Sequence, residues 1–159
     1  MKKEYAHAIR TEFDAQLPSR LPGFALIRGH KGLGTGVRLY RREAGSSVFH
    51  FVLLLISSSH DEFTVEVGGA SSPEIPVLEP FFEPSISGNK YNVRFRLSSY
   101  WDRQDPWWAI FPTNSTKEFI ALLRNEPPVE QGLARIPNLV QDSLDKLEQY
   151  AVPYWDEQR

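Results

Sequence analysis

The stretch Val48 to Ile56 constrains this chain most. It is apolar on both parities: Phe49, Phe51, Leu53 and Leu55 alternate with Val52, Leu54 and Ile56, and His50 interrupts them. Such a run reads as a central strand buried on both faces for part of its length. A central strand needs neighbours, and the flanking segments supply them at hairpin spacing. Phe24 to Ile27 reads as a short first strand. In Gly36 to Arg42, Val37, Leu39 and Arg41 point one way and Arg38, Tyr40 and Arg42 the other. Phe63, Val65 and Val67 alternate with Thr64 and Glu66, and Val93, Phe95 and Leu97 with Asn92, Arg94 and Arg96. Trp107 to Phe111 is a last short strand or a helical turn. The links between the early strands are too short for crossover helices, so the sheet is expected to be mainly antiparallel, with about five to six strands.

Helices flank these strands. Tyr5, Ile9, Phe13 and Leu17 recur every four residues, and Pro18 is expected to stop their helix. Ser115-Thr116-Lys117-Glu118 matches a capping box ahead of Phe119, Ile120, Leu122 and Leu123. A final helix is expected from about Pro137 to Tyr150, with Ile136, Val140, Leu144, Leu147 and Ala151 as its apolar stripe and Pro153 closing it. Strands followed by helices indicate α+β, read as one domain over 1–159 with the helices packed on one face of the sheet.

Composition narrows the function classes. The 18 basic and 20 acidic residues give a net charge of −2, which argues against sequence-independent nucleic-acid binding. There is no cysteine, hence no disulfide, thiolate metal site or cysteine nucleophile. No apolar run follows the opening lysines, and Val48–Ile56 is too short for a bilayer, so a soluble, cytoplasmic protein is expected, without membrane association.

The candidate chemistry is sparse. The glycine loop Gly29 to Gly36 fits neither phosphate-binding fingerprint and leads into a strand, so it reads as a hairpin loop. His60-Asp61-Glu62 reads as a solvated turn, because three adjacent residues seldom converge on one metal ion. His50 reads as an interior or edge histidine, with a general base as the alternative. Asp142 and Lys146 are spaced to pair on a helix surface. No nucleophile motif, metal site or cofactor site is visible. Gly69 to Gly88 holds Pro73, Pro76, Pro80 and Pro84 among apolar residues. It excludes a helix or central strand, and either covers the core or roofs a small-ligand pocket with His50 or His60 as base. The most suggestive feature is the polar side of two strands. Arg38, Tyr40 and Arg42, with Arg94 and Arg96, would form a basic recognition surface if helices cover the other face. Trp107 and Trp108 cannot both point inward from an extended segment, so one of them is a partner-contact candidate.

Pro22-Gly23-Phe24, Tyr40-Arg41-Arg42, Phe63-Thr64-Val65-Glu66-Val67-Gly68 and Leu147-Glu148-Gln149-Tyr150-Ala151-Val152-Pro153 occur in an order that resembles a loose group of small bacterial proteins of unknown function, including immunity proteins encoded beside toxins. The resemblance implies a protein that binds a protein partner, such as a toxin, and catalyses nothing. It carries over no site residue.

Overall fold

The computed structural model describes residues 1–30, 33–79, 92–101 and 107–157. Helix α1 (Lys3–Arg20) leads into strands β1 (Ala25–Ile27), β2 (Val37–Gly45), β3 (Val48–Ile56), β4 (Glu62–Ala70), β5 (Val77–Leu78), β6 (Val93–Arg96) and β7 (Trp108–Ala109). Helices α2 (Thr116–Arg124) and α3 (Val129–Lys146), a π-helical turn (Leu147–Ala151) and α4 (Val152–Asp156) complete the chain. The fold is α+β, and among the described residues the sheet has seven strands rather than five or six. Their order is β1-β2-β3-β4-β6-β5, and β7 joins the β6 side of β4 at its other end. The additional strand, β5, has two residues inside the proline-rich segment and is the one parallel pairing described, lying on the edge where proline is tolerated. The rest of that segment, 80–91, lies outside the described residues, as do Lys31 and Gly32 of the glycine loop and Asp102 to Pro106.

Register sorts every side chain onto one of two faces. Tyr40, Val52, Val67 and Phe95 stand in one cross-strand row. They face α1, α3 and α4, whose Tyr5, Ile9, Phe13, Leu17, Ile136, Val140, Leu144 and Trp155 complete the main core. On the far face Leu39, Phe51, Leu53 and Ala70 form a second, smaller core. This explains why Val48–Ile56 is apolar on both parities.

The prolines act less abruptly than their sequence positions suggest. Helix α1 runs through Pro18 to Arg20, because a proline in the last turn removes few hydrogen bonds. Helix α3 starts eight residues before Pro137, and Pro153 sits in the first turn of α4 rather than closing its predecessor. Helices α1 and α3 lie side by side and parallel. Tyr5 packs on Gly132 near the start of both, so closely that a Cβ there would collide with the ring. Near their ends Arg20 bonds Asp145 at 2.6 Å and Glu148 at 2.7 Å. Gly68 plays a similar part in the sheet: a Cβ there would lie 2.6 Å from the Val93 carbonyl, so glycine is what lets β6 approach β4. Among the described residues, no helix is long and apolar enough to cross a membrane.

Burial makes the tyrosines a gauge of integrity. Burial raises the pKa of Tyr40 and Tyr100, that of Tyr40 further because its hydroxyl donates to the Asp14 carboxylate, and burial also raises that of Tyr5. A group whose folded pKa exceeds its unfolded value stabilises the fold fully below the unfolded value, about 10 for tyrosine, and stops doing so as the pH rises above it. Stability is therefore expected to fall above about pH 10, with Tyr40 and Tyr100 of the six tyrosines ionising only as the chain unfolds. Absorbance at 295 nm followed together with circular dichroism tests this. A full tyrosine titration near pH 10 on an intact fold would contradict it.

Candidate functional site

The five residues expected to share one basic surface do not. Arg38, Tyr40 and Arg42 alternate onto the helix-covered face, whereas Arg94 and Arg96 stand opposite Gly68 and Glu66 on the far face. Tyr40 is fully buried, and Arg38 lies 3.6 Å from Asp14. Arg42 stacks over Phe24 and Trp155 at 4.9 and 5.5 Å and donates to His50 Nδ1 at 2.9 Å. A guanidinium only donates, so Nδ1 is the acceptor and the imidazole proton of the neutral ring sits on Nε2. His50 itself is fully buried and stacked on Trp155, which places it in the core, out of reach of a substrate. On the far face Glu66, almost fully buried, lies between the two arginines, with Arg94 Nε at 2.9 Å and Arg96 Nε at 3.8 Å. These arginines are engaged within the fold.

The two adjacent tryptophans divide as an extended segment requires. Trp108 packs into the core against Phe63 and donates to Asp142 at 2.8 Å. Trp107 turns to the far face, where Arg96 lies 4.9 Å from its ring. Asp142 is thereby engaged by Trp108, and Lys146 sits over the rings of Trp101 and Tyr150 instead of pairing with Asp142.

Trp107 opens onto a concavity lined by described residues, a groove of about 880 Å³. Its floor is the end of the far face. Glu62 pairs with Ala109, Trp107 precedes Ala109 on the same side of the strand, and Phe111, which also packs against the main core, lines the groove beyond it. One wall is the turn Ser59 to Asp61, and the other is α2. Helix α2 forms for local reasons. Ser115 Oγ accepts from Glu118 N at 3.2 Å, and Glu118 reaches back to Asn114 N at 2.7 Å. Nine residues are nonetheless too few for a helix to be stable in water by itself.

Tertiary packing makes up the difference only in part, because no residue of α2 is fully buried. Of its apolar stripe, Phe119, Leu122 and Leu123 line the groove and Ile120 lies outside the lining. Phe119, Ile120 and Leu123 are 40%, 43% and 66% exposed. Covering one such side chain from full exposure is worth about 1.5–3 kcal/mol, so these three forgo roughly 2–4.5 kcal/mol. The ionisable side chains lining the groove are His60, Asp61 and Glu62. His60 Nδ1 lies 2.9 Å from Ser59 Oγ and 3.7 Å from Glu62, so a single ring nitrogen meets both neighbours. That is not a catalytic relay, in which one nitrogen is oriented while the other transfers the proton.

The sequence signalled the capping box of α2 but not its exposure. An amphipathic stripe looks the same whether its own core or another molecule covers it. No protein-family model, curated protein or solved structure matches the chain.

Proposed function

We propose that this is a non-enzymatic protein-binding module that docks its partner on the apolar stripe of α2 and the groove beside it. The observation that carries the reading is the exposed stripe Phe119, Ile120, Leu123 on a helix with no fully buried residue. Contiguous apolar surface of this kind marks interaction sites, and an amphipathic helix beside a groove is a recurrent recognition element. The finer reading is an immunity-type protein whose partner is a toxin, supported by the resemblance carried by Phe63 to Gly68 and Leu147 to Pro153.

A small-ligand site is the second reading, favoured by the groove volume, which lies in the range of ligand pockets, and by His60 at its rim. Of the Gly69–Gly88 segment expected to roof a pocket, residues 80–88 lie outside those described.

The test is Phe119→Gln with Leu123→Gln, which keeps good helix formers in α2. In a native pull-down from the protein's own cells, the wild type is expected to retain a stoichiometric protein. The double variant is expected to lose it through an affinity drop of at least about a hundredfold, roughly tenfold per anchor, while its melting temperature stays within about 3 °C of the wild type. Equal retention by the variant would remove the docking surface from consideration.

A further inference from the structure

We infer that the segment seated in the α2 groove is a cationic amphipathic helix of the partner, which sets large apolar side chains against Phe119, Leu122 and Leu123 and a lysine or arginine against Asp61 and Glu62. This rests on the docking reading above and adds the chemistry of the partner to it.

The sign of the charge comes first. Among the described lining residues the acidic side chains are Asp61 and Glu62, and there is no lysine or arginine. A carboxylate can accept about four hydrogen bonds. Asp61 accepts one from the Lys2 backbone at 3.0 Å, and Glu62 lies 3.7 Å from His60. Both therefore retain acceptor capacity at the rim. Lys2, whose backbone meets Asp61, sends its ammonium to Glu126 at 2.8 Å, outside the groove lining.

Shape decides between helix and strand. Helix α2, about 13 Å long at 1.5 Å per residue, offers Phe119, Leu122 and Leu123 at the i, i+3, i+4 spacing along which a second helix packs. An added strand would need a sheet edge, and β7 provides two residues of one.

The test is a random peptide display library selected on the immobilised protein and counter-selected on the Phe119→Gln, Leu123→Gln variant. Recovered peptides are then titrated by fluorescence anisotropy against the wild type and against Asp61→Asn with Glu62→Gln, at about 50 and about 500 mM salt. Groove-dependent peptides are expected to carry lysine or arginine beside apolar residues at helical spacing, and to become helical on binding. They are also expected to lose at least roughly fivefold in affinity both in high salt and on the Asp61→Asn, Glu62→Gln variant. Groove-dependent peptides that are acidic or neutral, or that ignore both changes, would overturn the cationic partner and leave the docking surface standing. If no recovered peptide depends on Phe119 and Leu123, both readings fall. A wild-type dimer in sedimentation that Leu123→Gln dissolves would overturn the inference by making a second copy of this chain the occupant.

Discussion

Trp155→Ala is expected to lower the thermal midpoint by roughly 6–20 °C, from a loss of about 3–5 kcal/mol at about 2–4 °C per kcal/mol for a chain of this size. Trp155 heads the largest fully buried side chains, and it joins elements from both ends of the sequence. Its ring stacks on His50 at 5.3 Å and tilts against Phe24 at 5.1 Å. Its Nε1–H donates to the Gly68 carbonyl at 3.0 Å, at the point where β4 accepts the close approach of β6. Alanine would leave a cavity, a carbonyl without that donor, and the Arg42 guanidinium without one of its two aromatic faces. Trp155→Phe separates these effects, since it retains ring area and loses only the donor and the second ring. It is expected to fall between the two, with the lost hydrogen bond costing about 0.5–1.5 kcal/mol. Calorimetric melts of the three proteins decide it. Wild-type melting of Trp155→Ala would show that α4 contributes little to the core.

Much of this architecture was legible because it follows from local chemistry. Alternation in Phe63 to Val67 and the two-sided run Val48–Ile56 identified strands, since burial on one or both sheet faces writes itself into side-chain parity. Ser115 and Glu118 marked the start of α2 because the orphan N–H groups of a helix end need such partners. What parity cannot encode is which of the two faces the helices cover. Tyr40 between Arg38 and Arg42 reads as a solvent-facing residue, yet its row continues through Val52 and Val67 into the main core. The same limit hid the groove. Glu62, Ala109, Trp107 and Phe119 come from three distant segments and meet only through the β4–β7 pairing. The prolines misled for a related reason. Pro18 and Pro153 stand in terminal turns, where the missing N–H matters least, and sequence alone does not show how far a helix extends around them.

The second large effect concerns the charge cluster on the far face. Glu66→Leu is expected to destabilise the protein by about 3 kcal/mol, the lower end of the range for breaking a buried pair, because Arg94 and Arg96 retain about a fifth of their side-chain exposure. The wild-type carboxylate is essentially buried and has a guanidinium nitrogen on either side, at 2.9 and 3.8 Å. Leucine fills the space but leaves two like charges on adjacent positions of one strand face with nothing between them. Two signatures distinguish this electrostatic account from a packing defect. Adding sulfate, which can sit between two guanidinium groups, should recover part of the lost stability in Glu66→Leu and little in Trp155→Ala. Converting the whole cluster, as Glu66→Leu with Arg94→Met and Arg96→Met, should return stability to within about 1 kcal/mol of the wild type. Removing all the charges removes the unfavourable desolvation together with the attraction that offset it. Urea unfolding of the single and triple variants measures both. If Glu66→Leu alone were as stable as the wild type, the cluster would be neutral to the fold, and its arginines would be open to a role outside it. If the triple variant were as unstable as the single one, the arginine stems would be supporting the far-face core through packing, with charge secondary.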